Sequence, residues 1–395
     1  MEKNAAQMKS ICIIAYTDYL TDARVMRQAE SACHAGYAVD VITPIGRGQE
    51  EKMVSNQVTI HRLRTPQYRG SKKPLYLLSY ISFFVRCLLR ISWLHVKNSY
   101  RIIQVCNMPD FLVFSAAFAK LAGAKIILDI HDPMPRIYMA KFPGSGKKGF
   151  YHLILWQEKL SAAFSDRVMT VHEPIKRDIL LRDGIPAGKI AVVANFPDDG
   201  IFRVHDSYTI DLPIRMIYYG TVAVRFGFEG VLSAIRRVRQ RNRLYFKIIG
   251  KGDDEAALRE RIGALGLSGV VEFDNTSYPL RQLPEIIRRH HLGLVPYSPS
   301  PATDYMLPVK LMELLAMGIP AITVPNTAIR YYLDDRLYFG YDPRNMDTLT
   351  RLIDRLLDDP SLILSKREAV LGESAKYLWK NERLKYLDIL AQLSI

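Results

Sequence analysis

A short segment in the second half of the chain combines charged residues with the signals of a short helix. Pro308 is suited to the first position of a helix, where its missing N–H costs nothing, and Gly318 and Pro320 end the same helix. Lys310 and Glu313 are the charges between these signals. Free N–H groups at a helix start attract phosphate. The segment therefore predicts an anion site, although an ordinary core helix with two solvated charges has the same pattern.

Polar residues also follow predicted strands elsewhere. Gly220-Thr221 comes directly after one strand, with Arg225 close behind, and Gly250 ends the next strand. An arginine can bind two phosphate oxygens at once, whereas a lysine acts as a point charge. In the first half, His131-Asp132 follows a strand. A histidine there can orient a sugar hydroxyl or sense a phosphate, although a lone histidine is more often structural.

Several common nucleotide and metal motifs are missing from the sequence. The turn at residues 16–22 has no glycine, and Gly250-Lys251-Gly252 lacks the third glycine of a dinucleotide fingerprint, which argues against a dehydrogenase. No P-loop with a Lys-Ser/Thr pair occurs. Acidic doublets such as Asp253-Asp254 are adjacent and do not form an Asp-x-Asp metal pair. The cysteines lie far apart without metal-type spacing, which favours free thiols in a reducing compartment.

The elements that must position these residues alternate between strand and helix patterns. Strands are predicted at residues 11–15, 38–43, 58–63, 102–106, 126–130, 167–171 and 190–194, and again at 215–220, 245–250, 270–273, 292–296, 321–324 and 337–340. This alternation predicts parallel sheets covered on both faces by helices. Because the pattern restarts near residue 206, we predict an α/β fold of two Rossmann-like, doubly wound domains, residues 1–205 and 206–375, facing across a cleft.

Charge and hydropathy indicate the kind of partner. The net charge of +14 suggests nucleotide phosphates, acidic lipid headgroups or nucleic acid. Lys and Arg are dispersed instead of gathered in one aromatic-rich patch, which argues against nucleic acid. The most apolar stretch, residues 74–96, is interrupted by Arg86 and Arg90. We therefore expect an amphipathic helix that partly faces a membrane, and no transmembrane helix.

In their order and spacing, these segments resemble glycosyltransferase family 4, whose members are retaining sugar-nucleotide transferases with the two-Rossmann GT-B architecture. The resemblance covers nearly the whole chain. The matching segments are Thr21-Asp22-Ala23-Arg24-Val25, Ala35-Gly36-Tyr37-Ala38-Val39, Leu128-Asp129-Ile130-His131-Asp132, Val193-Ala194-Asn195-Phe196-Pro197, Tyr219-Gly220-Thr221 with Arg225, Ile248-Ile249-Gly250-Lys251-Gly252, Leu294-Val295-Pro296-Tyr297 and the run from Pro308 to Pro320. Each segment alone is a weak signal, but the set is specific. The resemblance also implies that a C-terminal helix, within residues 376–395, packs back on the N-terminal domain.

The resemblance implies a donor site in the second domain. Glu313 matches the second glutamate of the family's E-x7-E motif, which holds the nucleotide ribose, whereas Tyr305 replaces the first glutamate. The backbone amides of Met306 and Leu307 match those that line the donor sugar and diphosphate. The remaining donor-binding positions are Gly220, Thr221, Gly250, Arg225 and Lys310.

Catalytic and acceptor positions follow from the same resemblance. Arg225 and Lys310 are expected to hold the diphosphate, and His131 matches the histidine near the reacting centre. Since the family's glycine-rich loop after the first strand is absent, Asp18 and Tyr19 are expected to contact the acceptor, together with Asp132.

The expected function is then a retaining hexosyltransferase that uses a UDP- or GDP-type sugar nucleotide and needs no metal or other cofactor. Its acceptor is expected to be a lipid-linked glycan of bacterial surface polysaccharide synthesis, at the inner face of the plasma membrane. Because Tyr305 replaces a glutamate, a catalytically weak GT-B subunit that binds nucleotide or a partner transferase is an alternative. A nucleic-acid or membrane-surface binding protein is a second alternative. The sugar, linkage and oligomeric state stay open.

Overall fold

The chain forms two compact α/β units. The computed structural model describes residues 9–46, 48–65, 73–141, 148–205, 207–301 and 303–394. Unit 1 comprises Met1–Asn195 and Glu382–Ile395, and unit 2 comprises Phe196–Asn381. Each unit is built on its own sheet.

Unit 1 contains an eight-stranded sheet. Its strands are β1 (Ser10–Ile14), β2 (Ala38–Pro44), β3 (Lys52–Ser55), β4 (Val58–Leu63), β5 (Ile102–Cys106), β6 (Lys125–Ile130), β7 (Arg167–Thr170) and β8 (Ile190–Val192). Their order is β3-β4-β2-β1-β5-β6-β7-β8, and all neighbours are parallel except β3 with β4. The order reverses between β1 and β5, which is where a doubly wound sheet binds its ligands.

The helices of unit 1 flank this sheet. They are α1 (Ala23–His34), α2 (Lys73–Asn98), α3 (Ala117–Leu121), α4 (Met134–Lys141), α5 (Lys148–Phe164) and the single turn α6 (Glu173–Ile175). A 3₁₀ helix, Asp110–Ala116, precedes α3 and packs against both α2 and α5.

Unit 2 repeats the doubly wound pattern on six parallel strands. They are β9 (Ile214–Tyr219), β10 (Leu244–Ile249), β11 (Val271–Asp274), β12 (Leu292–Val295), β13 (Ala321–Thr323) and β14 (Phe339–Gly340), in the order β11-β10-β9-β12-β13-β14. The helices are α7 (Phe228–Arg237), α8 (Glu255–Ala264), α9 (Leu283–Ile287), α10 (Val309–Ala316), α11 (Thr327–Tyr332), α12 (Asp347–Asp358) and α13 (Ser361–Glu373). The last helix, α14 (Trp379–Leu393), begins in unit 2 and continues into unit 1. The predicted α/β class is confirmed in both units.

The strand prediction missed only β3 among the strands that the structure describes. This edge strand is partly exposed along its length and pairs antiparallel with β4. Asn56 and Gln57 join the two strands with left-handed backbone, at φ 47° and 66°. Such a turn is typical of a tight hairpin, so Asn56 is the residue in the sequence that could have indicated the hairpin.

The boundary between the units lies earlier than predicted. Unit 2 begins at Phe196, whereas the sequence suggested residue 206, which is itself outside the described residues. Two tyrosine rings hold Phe196 in unit 2, with centroids 5.8 Å away at Tyr332 and 5.6 Å away at Tyr377. The N–H of Trp379 also donates to the Pro197 carbonyl oxygen at 2.8 Å. Aromatic packing therefore places the boundary before the polar stretch that suggested it.

The C-terminal helix returns to unit 1, as predicted, but from Glu382 and not from residue 376. The buried Glu382 carboxylate accepts a hydrogen bond from the Ala194 N–H at 2.8 Å. Tyr386 is fully buried, and its hydroxyl donates to Gln104 Oε1 at 2.9 Å. These contacts tie residues from the end of the chain to the first sheet.

Helix α2 is apolar on two faces. In the part of the chain that the structure describes, one stretch, Leu77–Asn98, has the length and composition to cross a membrane, with a mean hydropathy of 1.5 and 28% of its most apolar window buried. One face packs inside unit 1 and carries Phe83, Cys87, Ile91 and Leu94. The other face is exposed and carries Leu78, Val85, Leu89, Trp93 and Val96. The packed face joins the helix to unit 1, and the expected membrane-facing surface helix stays a prediction.

Candidate active site

The carboxyl ends of β9 and β10 approach each other backbone to backbone. The Gly220 N–H donates to the Ile249 carbonyl at 2.8 Å, and Gly250 has a φ of +150°. A Cβ atom at Gly250 would lie 1.6 Å from the Gly220 carbonyl oxygen, and one at Gly252 would lie 1.7 Å from the Val222 carbonyl oxygen. These loops therefore require glycine, because only a residue without a side chain fits. The predicted donor position Gly250 keeps the loop of Gly220 in place.

Lys310 lies across this glycine loop. It is the second residue of α10, and Pro308 is the N-cap residue and not the first helical residue as predicted, because its ψ of 119° is extended. A Cβ atom at Gly220 would lie 1.9 Å from Lys310 Cε. Lys310 Nζ is also 5.8 Å from the Tyr218 ring centroid and 5.6 Å from that of Phe226. Ring faces attract a cation at this distance, so the ammonium group is held above the end of β9.

Two cations meet at this point without a carboxylate in ion-pair contact. Among the described residues, neither Lys310 nor Arg225 forms a salt bridge. Burial lowers the pKa of Lys310; Glu313 acts against this shift, and the positive charge of Arg225 adds to it. Arg225 is exposed and stacks on the Phe226 ring, with its guanidinium carbon 5.1 Å from the centroid. Two neighbouring cations, only partly balanced by the charge of Glu313, make the loop suited to an anion.

Glu313 is buried on α10, and one of its oxygens is already used. Its Oε2 accepts a hydrogen bond from the Tyr219 hydroxyl at 2.9 Å. Burial and the neighbouring carboxylate raise the pKa of Tyr219, which keeps the hydroxyl as a donor. Thr221, the other predicted loop residue, is exposed, and its carbonyl oxygen accepts from the Tyr218 hydroxyl at 2.5 Å. Gly220, Arg225, Lys310 and Glu313 thus lie in one cluster.

The segment before α10 corrects one predicted contact. The Met306 N–H donates to the Thr303 carbonyl at 3.2 Å, so this amide is not open to a donor sugar. The Leu307 N–H makes no hydrogen bond to a described residue, and it remains available. Tyr305 ends the 3₁₀ helix Thr303–Tyr305 and is half-buried. The reason for the correction is local, because the tight turn at Thr303 uses the Met306 amide.

Asn326 holds the same segment from outside it. Its side-chain amide donates to the carbonyl oxygens of Thr303 and Met306, each at 2.7 Å, while its Oδ1 caps α11 by accepting from Ile329 N–H. The sequence analysis did not select this residue. An asparagine directly before a helical pattern is an N-cap signal, and it could have drawn attention to the loop.

Two clefts of unit 2 lie beside this cluster. One has a volume of about 700 Å³ and is lined by the start of α7, and the other has about 970 Å³ and is lined by Asp304 and Asn326. They share Tyr297 and Tyr341, and neither includes Lys310. We assign the anion site from the cations and the glycine loop, because cleft volume carries no information about charge.

In unit 1, a buried carboxylate lies beside His131. Asp129 Oδ2 is 3.0 Å from His131 Nε2, although the ring N–H is bent away from a straight hydrogen bond. The same oxygen accepts from the side-chain amides of Gln104 at 3.0 Å and Gln28 at 3.2 Å. Burial by itself raises the pKa of Asp129, but its interactions with His131 and Arg24 and its hydrogen bonds outweigh this effect and hold the pKa below its usual value. Asp129 is therefore a buried anion.

Cys106, Asp129 and His131 bring three metal-type ligand atoms within 4.8 Å of one another. Burial raises the pKa of the Cys106 thiol well above its usual value. The Asp129 oxygen nearest to the others already accepts two amide hydrogen bonds. The three side chains form a contact cluster around Asp129 Oδ2, with Cys106 Sγ at 4.0 Å and His131 Nε2 at 3.0 Å.

The predicted acceptor residue Tyr19 is wrong as a surface contact. Its side chain is fully buried, so no acceptor can reach it, and burial raises the pKa of its hydroxyl. Asp18 caps the 3₁₀ helix Tyr19–Thr21 by accepting from Leu20 N–H, and its Oδ2 accepts from Gln49 Nε2 at 2.9 Å. Both residues serve the local fold of this loop.

Asp132 is exposed next to His131, and the Asn107 side chain is hydrogen-bonded to the backbone of both residues. Asn107 Oδ1 accepts from the His131 N–H at 2.8 Å, and its Nδ2 donates to the Asp132 carbonyl at 2.7 Å. Nδ2 also donates to Asp110 Oδ1 at 2.9 Å. Asn107 was missed by the sequence analysis, but it directly follows a predicted strand and could have been selected for that reason. His131 and Asp132 are thus presented together at the ends of β5 and β6.

The fold and these clusters define a protein of two doubly wound α/β units with a cationic glycine loop in the second. Two family models match the chain, one described as "Glycosyl transferase 4-like domain" over residues 21–195 and one as "Glycosyl transferases group 1" over residues 206–377. The chain belongs to glycosyltransferase family 4 and has the GT-B fold.

Solved structures of this fold resemble the chain over almost its full length. The sucrose-phosphate synthase from Thermosynechococcus elongatus has a TM-score of 0.75 at 17% identity and covers 98% of this chain and 99% of that chain. Anabaena Alr3699/HepE in complex with UDP-glucose has a TM-score of 0.70 at 12% identity and covers 97% and 99%. At such identities the likeness concerns the fold.

One curated relative is similar in sequence over part of its length. It is the chitobiosyldiphosphodolichol beta-mannosyltransferase of Candida glabrata, which is 25% identical over 206 residues. The match spans 49% of this chain and 43% of that protein.

Proposed function

We propose that this protein is a retaining glycosyltransferase that moves a hexose from a nucleotide-diphosphate sugar to a hydroxyl of a lipid-linked glycan in bacterial cell-surface polysaccharide synthesis. The observation that carries the proposal is the cation pair of unit 2. Lys310 is held above Gly220, Arg225 lies beside it, and neither forms a salt bridge to a described residue. A diphosphate would add negative charge beside this cation pair.

The same cluster supports the chemistry of the departing nucleotide. When the glycosidic bond to the diphosphate breaks, negative charge accumulates on the leaving phosphate oxygen. Lys310, Arg225 and the open N–H of Leu307 can stabilise this charge, and α10 has no side-chain cap that would compete. We therefore propose transfer without a bound metal. Glu313, whose Oε2 accepts a hydrogen bond from the Tyr219 hydroxyl, is proposed to contact the nucleotide ribose.

We also propose that the protein works at the cytoplasmic face of the plasma membrane. The exposed face of α2 is apolar, and Arg86, Arg90 and Lys97 flank it. The guanidinium carbon of Arg90 lies 5.0 Å from the Trp93 ring centroid. A second exposed apolar stripe runs along α5 and consists of Phe150, Leu153, Trp156 and Leu160. Apolar side chains with basic neighbours suit an anionic lipid surface, where a lipid-linked acceptor would also be found.

The decisive experiment is a panel of UDP- and GDP-sugars with the full-length protein. One nucleotide sugar should raise the melting temperature and be hydrolysed or transferred, because a ligand that binds only the folded state stabilises it. Lys310→Met and Arg225→Ala should each weaken binding of that nucleotide by roughly tenfold or more. The matched controls are Lys380→Met and Arg351→Ala, which remove exposed cations of unit 2.

The remaining parts of the proposal have separate readouts. Proton NMR of the product immediately after transfer gives the anomer, and an inverted linkage would contradict the retaining assignment. Full activity in excess chelator is expected, and a chelator-sensitive rate restored by a divalent cation would contradict metal independence. Nucleotide binding without any turnover until a second protein is added would favour the weak-subunit alternative.

A further inference from the structure

We infer that Asp129 is a positioning residue that holds the His131 imidazole, through its Nε2 edge, so that Nδ1 faces a substrate hydroxyl. This inference rests on the proposed function and adds a residue that the sequence analysis did not assign to the site. Its first support is the 3.0 Å distance between Asp129 Oδ2 and His131 Nε2. Among the described residues, no hydrogen bond reaches His131 Nδ1, and its side chain is 10% exposed. Nε2 is therefore in contact with the buried carboxylate, and Nδ1 is available to a substrate.

Asp129 is suited to this task because it cannot move. It is 2% exposed, and two glutamine amides donate to the same oxygen that faces His131. Gln104 Nε2 also donates to Gln28 Oε1 at 2.7 Å, so the glutamines hold each other as well as the carboxylate. A buried carboxylate with several donors is rigid and stays charged.

The network extends to the end of the chain. The Tyr386 hydroxyl of α14 donates to Gln104 Oε1 at 2.9 Å, which orients the glutamine amide so that its Nε2 points at Asp129. The C-terminal helix is thereby connected to His131 by three successive contacts within unit 1. This gives the return of the helix a role at the site in addition to packing.

The charge balance around His131 involves groups from several elements. Arg24 of α1 interacts with the Asp129 charge, and its Nε and Nη1 atoms are buried without a hydrogen-bond partner among the residues that the structure describes. The Cys106 thiol from β5 lies 4.0 Å from Asp129 Oδ2 and is held protonated, and Asp132 follows on the same loop. An imidazole that accepts a hydroxyl proton through Nδ1 needs its own proton on Nε2, which is the tautomer that a carboxylate at Nε2 favours.

The test is Asp129→Asn, with Asp388→Asn as the matched control on the exposed side of α14. We expect Asp129→Asn to lower kcat on the order of 100-fold, with little change in KM for the sugar nucleotide, which binds in unit 2. Two-dimensional ¹⁵N NMR of the histidines, with His131→Gln to assign the signal, should show His131 moving from the Nε2–H tautomer to a mixture. Tyr386→Phe should lower kcat by about fivefold, the effect of one lost hydrogen bond.

The outcomes separate this inference from the proposed function. An unchanged His131 tautomer and kcat in Asp129→Asn would overturn the positioning role even if the enzyme transfers sugar. If wild-type protein transfers no sugar, the proposed function fails, but the NMR comparison still decides whether Asp129 sets the tautomer. Nucleotide-induced stabilisation of unit 2 in Asp129→Asn controls for loss of folding. A kcat loss with an unchanged tautomer would also contradict the inference.

Discussion

Replacing Asp110 by asparagine should make the stability of unit 1 less dependent on pH. Asp110 is completely buried; Oδ1 accepts from Asn107 at 2.9 Å, and Oδ2 has no hydrogen-bond partner in the described protein. Burial raises the pKa of Asp110 to about 7, although the Asn107 hydrogen bond opposes the shift. Burial and the charge of Asp110 also raise the pKa of Glu158, whose two oxygens likewise have no partner there. The two acids disfavour each other's charged form.

The size and sign of the effect follow from proton linkage. At about 1.4 kcal/mol per pKa unit, a shift of the Asp110 pKa from 3.8 to about 7 corresponds to about 4 kcal/mol. Between these pH values the folded state binds more protons than the unfolded state, so the free energy of unfolding falls as pH rises. The contribution is fully present below the unfolded pKa and is lost as pH rises through the folded pKa. Asparagine has the shape of the protonated acid and does not titrate. The stability of Asp110→Asn relative to wild type should therefore increase by about 3 kcal/mol from pH 5 to pH 8.

Urea unfolding at several pH values measures this difference. Hydrogen exchange of peptides from β5 and β6 reports unit 1 separately from unit 2. The control is Asp253→Asn, which removes the same charge at an exposed position in unit 2. If the stability difference between Asp110→Asn and wild type is the same at pH 5 and pH 8, the buried acid is not protonated as the structure implies, and the reasoning is refuted.

Three further predictions concern unit 2 and the membrane face. Gly250→Ala should destabilise unit 2 by more than about 3 kcal/mol in thermal unfolding, because its φ is +150° and its Cβ would overlap a backbone oxygen. The control Gly263→Ala, in open space on α8, should be neutral or stabilising, and equal effects of the two substitutions would contradict the close approach at Gly250. Leu89→Glu should reduce co-sedimentation with phosphatidylglycerol vesicles by roughly tenfold or more. The control Leu384→Glu, which changes an equally exposed leucine of α14, should not reduce it. If both variants bind like wild type, α2 is not the lipid contact. Tyr305→Glu, which restores the family's glutamate, should change the order in which the nucleotide sugars of the panel are preferred. An unchanged order would show that Tyr305 does not select the donor.

The architecture could be predicted from the sequence because it depends on local patterns. Residues 58–63 and 102–106 were predicted as strands and form β4 and β5 with the same bounds. β5 is mostly apolar, and β4 begins with the β-branched residues Val58, Thr59 and Ile60, which favour a strand over a helix. The alternation of such runs with helical patterns was enough to predict two doubly wound sheets. The edge strand β3 was not predicted, because its partly exposed residues form a strand only through pairing with β4.

The candidate site was also predicted only in part. The residue types at strand ends and at the start of α10 selected Gly220, Arg225, Lys310 and Glu313, and the structure brings them together. It did not support Tyr19, which is buried, or the Met306 amide, which a local turn uses. Both errors arise because a one-dimensional pattern indicates which groups are present and not which of their hydrogen bonds are already made.

By itself, the sequence determined the strand and helix pattern, the excess of positive charge and the residue types available for chemistry, since these depend on covalent neighbours. Only the tertiary structure decided which of these groups are buried, charged and already bonded. The link from Tyr386 to Gln104 joins residues 282 positions apart, and it acts on Asp129 and then on His131. Burial and proximity are properties of the folded chain, and in this protein they set the protonation and orientation of side chains such as Asp129 and His131.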